Sequence, residues 1–306
     1  MPKGLHLAYH DVRQEGALGL NCTPQRFRVE LIWLRGNGYV VLTCGEVAEC
    51  ISRKCPLPER YATLSFDDGL ASQFTTALPI LEEFGLRATF FVITCSLFGE
   101  LPPVFGIQLL VSKLGEARME QILRERLPAP YNDLMDPQRY DITGYKLGER
   151  PERRRIYQVF AHVLPHALQR DLIAEWFAEF IADGMMEAYV REICMKPEEL
   201  RVMVRRGMEV ASHSVSHPLM SALGTHEVET EALESKRHLE ELLGQTVQSF
   251  AWPYGGVITS QIREIISRPY ASAWNYRNAE AMPPEPHDLW DMPRLNEAKA
   301  FSATWG

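Results

Sequence analysis

The sequence predicts an α/β fold of parallel strands and intervening helices, interrupted once by a long helical stretch. Short apolar runs alternate with helical patterns through residues 1–98 and again through 197–295, with linkers of a few residues between them. That rhythm is the signature of strands paired in parallel through crossover helices. Between about Leu97 and Met195 the alternation stops and only helical patterns and proline-rich turns remain. The residues best suited to chemistry all fall at the carboxyl ends of runs read as strands, where parallel sheets place their ligands. With 306 residues and 46% hydrophobic content the chain can bury a sizeable core, and it reads as one domain spanning residues 1–306 with a helical insertion at about 97–195.

Taken in order, Leu5 to Tyr9 alternates as a first strand that ends at His10. Thr23 is placed as an N-cap with Pro24 at the first helical position, and Phe27, Leu31 and Leu34 recur at helical spacing until Gly36-Asn37-Gly38. Tyr39 to Leu42 is a short strand, and Thr43 with Glu46 has capping-box spacing before a helix to about Ser52. Tyr61 to Phe66 is a strand, Leu70 to Phe84 a helix ended by Gly85, and Arg87 to Ile93 another strand. The insertion holds a helix near Gln108 to Arg126, a proline-broken loop from Pro128 to Pro137, and amphipathic helices from about Glu152 to Ala182. Its basic run, Arg150 with Arg153, Arg154 and Arg155, reads as a solvated helix start or as a contact for an anionic substrate. His162 and His166 stand four apart, but Pro165 interrupts the turn and no acidic motif accompanies them, so they read as a helix-surface coincidence. The alternation resumes with a helix from Pro197 to Arg206 and a strand from Met208 to Ala211. A long helix from Thr225 to Leu243 follows, then the strand Val247 to Trp252, a helix from Ile258 to Ser267, and strands at Tyr270 to Trp274 and Leu289 to Leu295.

Composition narrows the function. A formal charge of −8 and a pI near 5.7 give no general attraction to phosphate backbones, which argues against nucleic acid as partner. No apolar run reaches the eighteen or more residues of a membrane span. The first residues run straight into the alternating segment without a charged-then-apolar leader, and six cysteines show no Cys-x-x-Cys spacing; both features lead to the expectation of a cytoplasmic protein with reduced thiols.

Three stretches carry the chemistry. Ser65-Phe66-Asp67-Asp68-Gly69 places adjacent carboxylates after a strand, with a glycine that breaks the strand's alternation so that the two can face one pocket from different angles. Alone, such a triplet is also an ordinary strand-to-helix turn with an Asp cap. His213-Ser214-Val215-Ser216-His217 presents two imidazoles to one ion, and two imidazoles with one Asp leave open positions on a divalent cation, the arrangement of a catalytic site. Phe250-Ala251-Trp252-Pro253-Tyr254-Gly255 ends a third apolar run in a Pro/Gly turn.

In this order the three stretches resemble the motifs of the NodB-homology polysaccharide deacetylases, carbohydrate esterase family four: Thr/Ser-Phe-Asp-Asp-Gly, His-Ser/Thr-x-x-His, and a segment ending in Pro-Tyr-Gly. The resemblance covers residues 1–98 and 197–295 and implies a distorted (β/α) barrel. It implies Asp67 as general base and Asp68, His213 and His217 as ligands of one divalent metal, zinc first, with cobalt, nickel or iron also suited to a mixed carboxylate and imidazole set. It also implies Tyr254, through its backbone N–H, as a stabiliser of the oxyanion. Trp252 and Tyr254 are the nearest aromatic residues to flank a sugar ring, the alternative being simple packing at a strand end. The pattern breaks in two places. The arginine that family members carry three residues before the motif-three tyrosine is Ala251 here; Arg294 is either its replacement, reaching the same carboxylate from another side near the substrate, or a surface residue. The family's fourth motif is not found. The fifth, an apolar strand with a leucine shortly before a histidine, is absent from the C-terminal region but present as Leu7-Ala8-Tyr9-His10. In a closed barrel the first and last strands are neighbours, so His10 is expected as the general acid, as in the circularly permuted branch similar to the poly-N-acetylglucosamine deacetylases.

The activity so implied is metal-dependent removal of an N-acetyl group from an amino sugar. Two alternatives stay open: an amidase acting on a cyclic amide or formamide, and a barrel that binds glycan without turning it over.

Overall fold

A computed structural model describes residues 3–14, 21–136, 151–181, 184–277 and 288–302. The chain opens with β1 (Lys3–Tyr9), followed by β2 (Asp11–Val12) and β3 (Asn21–Cys22), which pair with each other in a small side sheet. Strands of two residues have no periodicity to read, so the sequence carried no sign of this sheet. Helix α1 (Pro24–Gly36) starts as its residues dictate, with the Thr23 hydroxyl accepting from the Arg26 N–H and Pro24 in the first turn. After β4 (Val40–Leu42), α2 (Cys44–Ser52) is fixed by the reciprocal bonds of Thr43 and Glu46. Strand β5 (Arg60–Phe66) leads into the acidic pair; a single π-type turn (Gln73–Ala77) precedes α3 (Leu78–Phe84), and β6 (Thr89–Val92) follows.

The helical stretch then contains α4 (Pro103–Leu114), α5 (Glu116–Arg126), α6 (Pro151–Gln158), α7 (His166–Phe180) and α8 (Met185–Ile193). The one helix expected around Gln108 to Arg126 is two, broken at Gly115, whose φ of +85° no helix accommodates. Then come α9 (Pro197–Arg205), β7 (Glu209–Ser212), α10 (Thr225–Leu243), β8 (Ser249–Ala251), α11 (Ser260–Ser267), β9 (Ser272–Tyr276), β10 (Met292–Asn296) and α12 (Glu297–Ser302).

Seven strands, β1, β5, β6, β7, β8, β9 and β10, close a parallel ring, with β4 added along the first half of β5. The first strand closes it: β1 pairs with β5 over its whole length, from Lys3 opposite Arg60 to Tyr9 opposite Phe66, and with β10 on its other edge. Alternate residues of each strand part company, as a period of two requires. Phe91, Ala211, Ala251, Trp274 and Met292 form one apolar cluster, whereas their neighbours Phe90, Val210, Phe250 and Ala273 join the larger core that holds Leu31, Leu81, Leu239 and Ile266 of the surrounding helices. Burying side chains of this size stabilises the fold by about 1.5–3 kcal/mol each.

The insertion has its own core, built from Phe105, Leu110, Ile122, Phe160, Trp176 and Val190, but Leu70 and Ile93 of the barrel belong to that core too. Its far end is fastened to the acidic turn: the Met195 N–H donates to the Gly69 carbonyl (2.8 Å), and Cys194 bridges Leu70. The insertion therefore sits at the carboxyl ends of the strands. Within it, Arg155 departs from the expected solvated helix start: it is buried, and its guanidinium donates to the Asp136 carbonyl. Arg150 lies outside the described residues. None of the described helices is long and apolar enough to cross a membrane.

Candidate active site

The acidic turn is built by two strand ends and a twist. Beyond Phe66, the Asp67 N–H still donates to the Tyr9 carbonyl (2.9 Å), and the Gln73 amide donates to the carbonyls of both His10 (3.0 Å) and Asp67 (2.5 Å). Asp68 then adopts φ +78°, a left-handed conformation that costs a non-glycine residue roughly 1 kcal/mol or more. Gly69 continues it at φ +73°, with Val92 so close that an added Cβ would stand 3.0 Å from a methyl group. Because the backbone turns between them, the two carboxylates take different partners.

Asp68 meets the two histidines. One of its carboxylate oxygens lies 3.6 Å from the Nε2 of both His213 and His217, and the three ligand atoms lie within 4.8 Å of one another. Tetrahedral ligands about 2.0–2.1 Å from a zinc ion stand about 3.3 Å apart, so the group has the size that could hold such an ion. The tautomer of His213 also suits a ligand: its Nδ1–H donates to the Ala251 carbonyl (2.9 Å), which leaves the Nε2 lone pair facing Asp68. Burial pushes both imidazoles down, His217 strongly, so they are neutral near pH 7, as ligation requires; burial pushes Asp68 up, an opposing cost that a cation between the groups offsets. Asp68 keeps 13% of its side chain exposed, an opening toward solvent on an otherwise closed group. The histidine loop, too, is held in unusual backbone geometry, with Ser214 at φ +67° and His217 at φ +61°. Ser214 accepts from the His217 N–H, and Glu231 accepts from the N–H groups of Val215 and Ser216.

Asp67 turns the other way, toward Arg294 on β10. The two Nη atoms of Arg294 donate to its two oxygens at 2.6 and 2.9 Å, and Nη1 also reaches the Ser65 hydroxyl. Burial alone would raise the Asp67 carboxyl; the guanidinium, with the nearby His213 and His10, overcomes this and holds it well below the usual carboxylate range. Arg294 is fully buried, packed over the Phe91 ring. Of its two expected places the structure gives the one beside Asp67. Its expected place near the substrate is corrected: a side chain with no exposed surface and both Nη groups committed does not face substrate.

The N-terminal strand delivers His10 to the same rim, directly after the residue paired with Phe66. Its ring lies edge-on to Tyr276 (6.5 Å), and its charge would act on both Asp67 and Asp68. Tyr254, at φ +61°, packs its ring edge-on against His217 (4.4 Å), and Gly255 follows at φ +67°, where an added Cβ would stand 2.6 Å from the Tyr276 carbonyl. Trp252 does not reach the pocket. It is buried in the barrel core, its indole N–H donating to the Trp290 carbonyl, so its expected place beside a sugar ring is corrected.

His162 and His166, expected as a helix-surface coincidence, belong here. His162 is half-buried with its ring 4.8 Å from that of Tyr254, and burial pushes its pKa down to about 4. His166 bonds the Ser216 hydroxyl through Nε2 (2.8 Å). Pro165 does break the helix, between the π-type turn Val159–Val163 and α7, and in three dimensions the two rings meet the rim on either side of that corner, His162 at Tyr254 and His166 at Ser216.

A parallel barrel with a paired Asp and Arg, and beside it a buried Asp-His-His group at the carboxyl rim, defines a hydrolase-type site. The polysaccharide deacetylase family model matches residues 54–104 and 169–271, together half of the chain, and the chain belongs to that family. Among curated relatives, it is 34% identical over 80 residues to the poly-β-1,6-N-acetyl-D-glucosamine N-deacetylase of Escherichia coli, covering 26% of this chain and 12% of that protein. It is 36% identical over 69 residues to a chitooligosaccharide deacetylase of Sinorhizobium fredii, covering 22% and 31%. Each alignment thus spans less than a third of the relative's length. Two solved structures share the fold across nearly the whole chain. IcaB of Ammonifex degensii matches with a TM-score of 0.63 and 16% identity, covering 100% of this chain and 97% of that one. The Streptococcus pyogenes deacetylase PplD matches at 0.58 and 17%, covering 95% and 91%.

Proposed function

We propose that this protein is a metal-dependent N-deacetylase acting on an N-acetylated amino sugar, presented as a glycoside, a sugar nucleotide, a lipid-linked precursor or a polysaccharide. The observation that carries the reading is the convergence of Asp68, His213 and His217 beside an Asp67 kept ionised by Arg294. Asp68, His213 and His217 would hold one divalent ion, with zinc as first choice. When bound, the ion supplies Lewis acidity, making a water nucleophilic near neutral pH and polarising the acetyl carbonyl.

The chain's own residues do the rest. Asp67 accepts the proton of the attacking water as the carbon–oxygen bond forms, and Arg294 keeps that carboxylate oriented and charged. The backbone N–H of Tyr254, in its left-handed turn, is assigned to the oxyanion that develops on the acetyl oxygen. His10 gives a proton to the nitrogen as the carbon–nitrogen bond breaks, because an amine does not leave as an anion. The products are acetate and the free amino sugar. Relatives named for poly-β-1,6-N-acetyl-D-glucosamine and for chitooligosaccharides support a carbohydrate substrate.

The test is acetate release from a panel of N-acetylated sugars, run beside cyclic amides and formamides, with metal analysis of the same preparation. Stoichiometric metal and acetate from at least one sugar are expected. Turnover confined to the non-sugar amides, or glycan binding without turnover, overturns the reading.

A further inference from the structure

The histidine loop is not held by the barrel alone. Ser216, between the two histidines, has one hydroxyl proton, and that proton goes to the Glu231 carboxylate (2.5 Å). The His166 Nε2 stands 2.8 Å from the same hydroxyl oxygen, which has only lone pairs left to offer, so His166 must be the donor through Nε2–H. Glu231 also accepts from the N–H groups of Val215 (2.7 Å) and Ser216 (3.0 Å). A continuous chain of bonds therefore runs from α7 of the insertion, through Ser216, to α10 of the barrel, and it crosses the loop at the residue before His217.

This loop needs such a clamp, because Ser214 and His217 both hold left-handed conformations at roughly 1 kcal/mol or more each. Strain of that kind persists only where the surroundings over-determine the backbone. Among those surroundings, Ser214 and Glu231 come from the barrel half of the chain and His166 from the insertion. We propose that His166 is a positioning residue. Through Ser216 and Glu231 it fixes the His213–His217 loop in ligand geometry, so the insertion takes part in metal affinity. This rests on the reading of Asp68, His213 and His217 as metal ligands.

The experiment compares wild type with His166→Phe, which keeps bulk and loses the donor, and with His166→Gln, whose side-chain amide restores an N–H at a similar reach. Zinc affinity is measured by calorimetric titration of metal-free protein, and hydrogen exchange is followed at the Val215 and Ser216 amides. The Phe variant should bind zinc about tenfold or more weakly, the usual effect of losing a group that orients a metal ligand. Its two amides should exchange about tenfold faster, and the Gln variant should recover most of both. If the Phe variant does not fold, Ser216→Ala removes the same link and should show the same two losses. Unchanged affinity and exchange in the folded variant overturn the proposal, as does a lower melting temperature with zinc affinity intact. A wild-type protein that binds neither zinc nor cobalt, nickel or iron in the same titration instead overturns the metal reading, and the exchange data still decide whether His166 clamps the loop.

Discussion

Arg294 forks both oxygens of Asp67 at 2.6 and 2.9 Å across 227 residues of sequence, joining the last strand of the ring to the strand that carries the acidic pair. The pair is fully buried, so each charge is tolerable only because of the other. Ala251 occupies the position three before Tyr254 where the family pattern has its arginine, and that small side chain lies in the apolar cluster with Phe91, over whose ring Arg294 packs.

Removing the arginine isolates a buried carboxylate. Arg294→Met should lower stability by about 3–5 kcal/mol, read as a shift in the urea midpoint. It should also move the acid limb of activity upward. Asp67 is now held below the usual range and stays ionised through mildly acidic pH; without Arg294, burial is the largest remaining influence, and it raises the carboxyl. The sign for stability follows the same shift: a depressed folded pKa contributes stability above the unfolded value near 3.9, and loses it as pH falls toward the folded one. Arg294→Met should therefore flatten the acid side of the stability curve; an acid limb that stays in place would separate Arg294 from the base.

The two carboxylates should separate cleanly in metal content. On the proposed assignment Asp68→Ala, His213→Ala and His217→Ala each remove one of three protein ligands, and elemental analysis should find metal depleted in all three. Asp67→Asn removes the proposed base and none of the proposed ligands, so it should retain metal and lose turnover by about a hundredfold or more. Full metal occupancy in the His213 variant would falsify the ligand assignment.

Gly255 offers a test of the rim's backbone. Its φ of +67° and the 2.6 Å approach to the Tyr276 carbonyl leave no room for a Cβ beside a backbone atom. Gly255→Ala should cost about 2 kcal/mol or more, since left-handed strain and a backbone clash add. Thermal melting checks the stability. Activity should fall with it, because Tyr254 and its packing on His217 move with the turn.

Much of this was legible in the sequence because it is written in local patterns. The Thr23 and Thr43 caps, the glycine stops and the β5 run each depend on residues a few positions apart, and each appears where its chemistry requires. Asp67, Asp68, His213 and His217 were legible as contiguous motifs. What local pattern cannot carry is which face of a helix meets the rim. His162 and His166 looked incidental because Pro165 breaks their turn, yet the break is what turns the two rings toward Tyr254 and Ser216. Trp252 failed in the opposite direction. It sits next to the motif-three turn, but the strand alternation that sends Ala251 inside the ring sends Trp252 to the helix-facing core. The period of two carries that signal, since Trp252 shares its core with Phe250 and not with Ala251.

His10 gives the sharpest test of how the ring closes. The N-terminal strand lies between β10 and β5, so its terminal histidine stands beside the acidic turn although it precedes Asp67 by nearly sixty residues of sequence. Gln73 locks the two strand ends together through the His10 and Asp67 carbonyls, which fixes the backbone from which the ring projects. The ring's Nδ1 is buried without a hydrogen-bond partner among the described residues, which leaves it uncommitted to any structural bond. The proposed amide hydrolysis needs a proton for the departing amine, and the proposed mechanism assigns that proton to His10. His10→Ala and His10→Gln should therefore keep metal content and fold, and slow turnover of an N-acetylated sugar by about a hundredfold or more. An acetate ester of a good leaving group needs little protonation, so the same variants should lose far less on that substrate. The ratio of the two losses separates proton donation from simple disruption of the site. Equal losses on amide and ester, or an amide rate equal to wild type, would move the general acid to another residue.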